Sequence, residues 1–88
     1  MKYKIKPSIA YRKINSEIFI VDSKNSYLHK INSVGSFIFE RIKDGLDEEK
    51  IIQDLVETYD VGFKEAYLDV KEFIEELIKK SIIEKDAK

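Results

Sequence analysis

The chain has 88 residues, of which 43% are hydrophobic and 38% charged, with 16 Lys/Arg against 17 Asp/Glu and a single His. That length supports one small domain that buries roughly 60–65% of its unfolded surface, so the core is thin. The absence of Cys removes disulfides, thiolate metal sites and thiol nucleophiles, and no apolar run reaches the ~18 residues of a membrane span.

Residues 1–8 are Lys-rich and end at Pro7-Ser8, which reads as a basic N-terminal arm. They lack an apolar h-region, so they are not a secretory signal, and the cytoplasm is the expected location. Ile9 to Ile14 alternates weakly as a first strand, and Asn15-Ser16 is a turn signal. Glu17 to Asp22, β-branched and aromatic, is the strongest strand in the chain. The polar stretch Ser23-Lys24-Asn25-Ser26 turns the chain, and Tyr27 to Ile31 returns as a third strand. In that strand Tyr27, His29 and Ile31 share one face, while Leu28 and Lys30 share the other. Ile31 runs straight into a helix, so its face is expected to meet the helices.

Asn32 or Ser33 is suited to cap the first helix. Its apolar positions are Val34, Phe37, Ile38 and Ile42, and Asp44-Gly45 stops it. Asp47 caps the second helix, whose stripe is Ile51, Ile52, Leu55, Val56 and Tyr59. Asp60-Val61-Gly62 is a tight connection to the longest element, from about Phe63 to Lys80. There Phe63, Ala66, Tyr67, Val70, Ile74, Leu77 and Ile78 cluster on one face, with Asp69, Phe73 and Glu76 on a flank of it. Ser81 to Glu84 packs the end down, and residues 85–88 read as a C-terminal tail. The sum is an α+β domain over residues 9–84, with a three-stranded antiparallel sheet followed by three helices. Charge divides along the same line. Residues 1–44 carry nine Lys/Arg against four Asp/Glu, and residues 45–88 carry seven against thirteen.

Candidate chemistry is sparse. The single His29 has no partners at ligand spacing, so no metal site is read. Neither a nucleophile elbow nor a glycine-rich phosphate cradle is present. The pairs Glu48-Glu49 and Glu75-Glu76 are adjacent and diverge on a helix. No catalytic residue, cofactor or enzymatic activity is therefore expected. Helices two and three have the look of a helix-turn-helix with the sheet as a wing. Yet the third helix sets Lys64, Lys71, Lys79 and Lys80 against Glu65, Asp69, Glu72, Glu75 and Glu76. Duplex affinity rests largely on cation–phosphate contacts, which argues against nucleic acid and leaves a small winged-helix regulator as the alternative. The third strand, Tyr27-Leu28-His29-Lys30-Ile31, remains. If its outer side is unpaired, it offers N–H and C=O groups that an extended peptide can complete. The other reading is that Lys30 and the strand's shortness only guard the edge against aggregation.

Several runs together resemble a known family. They are Ile20-Val21-Asp22, Tyr27 to Ile31, Asn32-Ser33-Val34-Gly35-Ser36-Phe37-Ile38-Phe39, Asp44-Gly45, Glu48 to Ile52, Leu55, Tyr59-Asp60-Val61, Asp69-Val70, Phe73-Ile74 and Leu77. Over about Ile9 to Glu84 the chain is similar to the PqqD family, peptide chaperones of pyrroloquinoline quinone biosynthesis, and to the wider group of precursor-peptide recognition elements. It departs from the family pattern at Ile31 for Leu, Phe39 for Trp, and His29 for an aromatic residue. The first two changes keep apolar character; the third alters the lining of any groove beside the strand. The resemblance implies a winged-helix-like fold that binds the leader of a ribosomally made precursor peptide. The leader adds as a strand along Tyr27, Leu28, His29, Lys30 and Ile31, against Asp69, Val70, Phe73 and Glu76 of the third helix. It implies presentation of that leader to a separate modifying enzyme, a radical S-adenosylmethionine enzyme or a leader peptidase. Monomer and dimer both remain open.

Overall fold

The computed structural model describes residues 1–24 and 27–86. The elements run β1 (Tyr3–Ile5), β2 (Ile9–Ile14), β3 (Glu17–Asp22), β4 (Tyr27–Ile31), α1 (Ser33–Lys43), α2 (Glu48–Tyr59), α3 (Phe63–Lys79) and β5 (Ile83–Lys85). β2, β3 and β4 form an antiparallel sheet with β3 in the middle, followed by the three helices as the periodicity predicts. Asn25 and Ser26 of the predicted turn Ser23–Ser26, and the tail residues Ala87-Lys88, lie outside the described residues.

The sheet follows from alternation. In β3, Ile18, Ile20 and Asp22 are buried toward the helices, while Val21 faces out. Asn15 takes the left-handed conformation, φ 59°, which a two-residue hairpin needs and which Asn tolerates better than most residues. The register pairs Ile14 with Glu17 across that turn, and Ile18 with Ile31 on the other side of β3.

The first two helices begin at side-chain caps, and α3 begins at Gly62 without one. Asn32, not Ser33, caps α1, its Oδ1 accepting from the Gly35 N–H at 2.8 Å. Asp47 caps α2 by accepting from Lys50 N–H at 3.1 Å, and Glu48 and Glu49 sit at the positive end of its dipole. Gly45, at φ +83°, lets the chain leave α1. Phe39, Ile38 and Ile42 of α1, Ile51 and Leu55 of α2, and Val70 and Ile74 of α3 close over Ile18 and Ile20 as the core.

Two expectations fail. The first concerns residues 1–8 and 85–88, read as an arm and a tail. Tyr3–Ile5 instead pairs antiparallel with Ile83–Lys85. Tyr3 is buried and its hydroxyl donates to Glu48 Oε1 at 2.7 Å. Glu48 N–H donates to the Met1 carbonyl, so the chain start satisfies a backbone donor at the first turn of α2. Burial first, and the neighbouring Glu48 carboxylate second, push the Tyr3 phenol up to about 12. Lys71 of α3 reaches the other oxygen of Glu48 at 3.1 Å, and this bond holds its ammonium above the ordinary lysine range. The second failure is in the helical stripes. Phe63 and Tyr67 have helical spacing, but Phe63 is 66% exposed and Tyr67 42%, and Tyr59 and Ile78 are also exposed.

Candidate functional site

Among the described residues, β4 pairs with β3 alone, so its other side is an open edge. Two observations fix which backbone groups lie on that side. Residues flanking a two-residue hairpin loop exchange hydrogen bonds, so Glu17 turns its backbone groups toward β2 and Ile18, one residue on, toward β4. Independently, Ile18 N–H donates to Ser36 Oγ at 2.9 Å, and that hydroxyl donates to the Ile31 carbonyl at 3.1 Å. The buried Ser36 thus bridges the end of the β3–β4 ladder. Alternation then places the backbone groups of Ile31, His29 and Tyr27 inward, opposite Ile18, Ile20 and Asp22. Leu28 and Lys30 direct theirs outward, together two N–H donors and two C=O acceptors.

Beside this edge runs a groove. One cavity of about 380 Å³ is lined by Leu28, His29, Lys30, Ile31, Asn32, Phe73, Glu76, Leu77, Lys80 and Ile82. An adjoining one of about 410 Å³ is lined by Asn32, Val34, Gly35, Ile38, Asp69, Glu72, Phe73 and Glu76. The two share Asn32, Phe73 and Glu76, so the groove follows the flank of α3. Its floor depends on Gly35. A Cβ there falls 2.5 Å from Ile31 Cγ2 and 2.9 Å from Phe73 Cε1, both below real contact distances. Only glycine lets α1 start this close to the end of β4 and to Phe73.

The edge strand and the groove bring together most of the residues singled out from the sequence. Leu28, His29, Lys30, Ile31, Phe73 and Glu76 line one cavity, and Asp69 the next; Tyr27 opens the strand opposite Asp22. Val70 is different: it is 0% exposed and belongs to the core behind the groove, because it lies at the centre of the apolar stripe rather than on its flank. Glu76 holds Lys80 at 3.4 Å, and Lys30 holds Glu17 at 3.5 Å, both as exposed pairs of small energetic weight. The sequence reading missed Leu77, Lys80, Ile82 and Gly35. A glycine inside a predicted helix was the available signal for the last of them.

Among the described residues no group of three or more His, Cys, Asp or Glu is placed to hold a metal ion. No helix there is long and apolar enough to cross a membrane.

Fold and groove together define a class: a small α+β domain whose sheet is open along its β4 border, beside a helix. Residues 17–83 match the family described as Coenzyme PQQ synthesis protein D (PqqD), and the chain belongs to that family. Its members are in general non-catalytic binding domains. The fold is shared with a structure described as TbiB1 in complex with the TbiA(beta) leader peptide, at TM-score 0.89 and 23% identity over 100% of both chains. It is shared equally with lasso peptide synthetase B1 complexed with the leader peptide, at TM-score 0.89 and 18% identity, covering 97% of this chain and 100% of that one. No curated protein matches the chain.

Proposed function

We propose that this chain binds the leader segment of a ribosomally made precursor peptide by strand addition along β4 and presents it to a separate modifying enzyme. The observation that carries this reading is the outward-facing backbone of Leu28 and Lys30 beside a groove. Membership of the PqqD family supports it, as do two similar folds whose structures are described as leader-peptide complexes. The working unit spans residues 9–84, with the β1–β5 ribbon added to it.

Geometry sets what the guest does. Guest residues opposite Leu28 and Lys30 exchange up to four ladder bonds and turn their side chains to the outer face of the sheet. The guest residue opposite His29 turns its side chain the other way, into the cavity bounded by His29, Ile31, Phe73 and Leu77. The ladder supplies affinity with little demand on sequence, and the cavity supplies selection. A flexible leader loses chain entropy on binding, so the expected affinity is micromolar or somewhat tighter, about −8 kcal/mol. Asp69, Glu72 and Glu76 along the groove favour a leader carrying Lys or Arg. The enzyme that receives the leader is a radical S-adenosylmethionine enzyme or a leader peptidase.

Fluorescence anisotropy with synthetic leader peptides tests the reading. A precursor leader is expected to saturate the chain, and a scrambled peptide of equal composition to bind at least about tenfold more weakly. Equal affinity for both peptides contradicts selective recognition.

A further inference from the structure

Phe63 and Tyr67 leave an apolar surface that the leader groove does not use. Their rings stack with centroids 6.3 Å apart and planes at 25°. With Ile52 and Val56 of α2 they wall a separate cavity of about 450 Å³. On the helical wheel this slot lies on one flank of α3, whereas Asp69, Phe73 and Glu76 lie on the other. α3 therefore presents two different surfaces, and a guest on β4 leaves the second one open.

The rim identifies the occupant. Among the described residues, the charged side chains lining the slot are Glu49 and Glu57. Neither carboxylate is engaged in an ion pair or side-chain hydrogen bond among the described residues. The nearby Lys71 is already held by Glu48, at 3.1 Å. An apolar slot between two helices, edged by unneutralised carboxylates, suits an amphipathic helix whose apolar side chains are flanked by Lys or Arg. It disfavours an anionic membrane surface, which the same carboxylates repel. A second copy carries the needed chemistry on the outer face of its sheet, where Val21 and Leu28 lie beside Arg12 and Lys30. That contact is head to tail, however, and forms rings or open filaments rather than a two-fold dimer. It also covers the border that the leader needs.

We propose that the α2–α3 slot docks a basic amphipathic helix of the modifying enzyme, so that leader and enzyme occupy opposite flanks of α3. The inference rests on the chaperone reading above and adds where the enzyme sits.

The test uses the full ¹⁵N-labelled chain, with and without saturating synthetic leader. Two amphipathic peptide probes are titrated, one with Leu at helical spacing flanked by Lys, the other with Glu in place of every Lys. The Lys peptide is expected to shift the amides of Ile52, Val56, Phe63 and Tyr67 whether or not leader is bound. The Glu peptide is expected to leave them unchanged. Glu49→Lys with Glu57→Lys should weaken the Lys peptide at least about tenfold and keep leader affinity within about twofold. In a reconstituted reaction with the modifying enzyme of the same pathway, Phe63→Ser with Tyr67→Ser should lower the rate at sub-saturating enzyme about tenfold while leader affinity holds. Equal shifts by both peptides, shifts confined to 28–31, or unchanged enzyme dependence overturn the proposal. So does concentration-dependent broadening at Phe63 and Tyr67 without peptide, which assigns the slot to a second copy. Loss of leader shifts at Leu28 and Lys30 alone contradicts the chaperone reading and leaves the slot result readable.

Discussion

Proline at successive positions of β4 separates the two sides of the strand. Leu28 is 68% exposed and its N–H faces outward, so Leu28→Pro removes a donor that only a guest uses. Proline on an edge strand with its nitrogen toward solvent is tolerated, and the change in fold stability should stay within about 1 kcal/mol. Leader binding should suffer more. One ladder bond is lost, worth about 1 kcal/mol net, and the guest carbonyl opposite is desolvated without a donor, which costs about 1 kcal/mol or more. Together that is about 2 kcal/mol, or roughly 30-fold in Kd. His29→Pro does the reverse. Its N–H faces Ile20, which is wholly buried, so a β3 acceptor is stranded and stability should fall by about 2–3 kcal/mol. Leu28→Ala controls for the side chain. Anisotropy gives the affinities, and urea denaturation gives the stabilities. Wild-type leader affinity in folded Leu28→Pro, or equal destabilisation by both prolines, would refute the assignment of outward groups.

Further expectations follow from other contacts. Gly35→Ala gains helix propensity of about 1 kcal/mol, but the overpacking against Ile31 and Phe73 costs about 1–3 kcal/mol; a lower urea midpoint together with weaker leader binding is expected, and a stabilised variant that binds normally contradicts the close approach. Ser36→Ala strands the Ile18 N–H and should cost about 1–3 kcal/mol by denaturation; an unchanged midpoint means the bridge is dispensable. Replacing Asp69 and Glu76 with Lys should weaken leader binding and flatten its salt dependence, and unchanged anisotropy curves reject the charge argument. Tyr3 binds its proton more tightly folded than unfolded, so its contribution is present below pH 10 and lost as pH rises toward about 12. Stability measured from pH 9 to 12 should fall more steeply in the wild type than in Tyr3→Phe; parallel curves contradict the Tyr3–Glu48 bond.

The alternation of Glu17–Asp22, the caps at Asn32 and Asp47, and the 3.6-residue stripes are local signals, and they placed the sheet, the helices and the edge strand correctly. What they missed is non-local. Tyr3–Ile5 and Ile83–Lys85 are three-residue strands, too short for a period, and each is defined only by the other at the far end of the chain. Helical spacing gave the angle of Phe63 and Tyr67 but not what lies over them, and α2, ending at Tyr59, leaves the start of α3 uncovered. Val70 and Phe73 both read as groove residues by resemblance, whereas one sits at the centre of the stripe and the other on its margin.

Amide hydrogen exchange, read residue by residue with and without a saturating leader peptide, tests strand addition most directly. Protection is expected to rise at Leu28 and Lys30 while His29 and Ile31, already turned toward β3, change little. Leu28 and Lys30 exchanging as fast with leader as without it, or new protection at Tyr11 and Lys13 on the far border of the sheet, would contradict it.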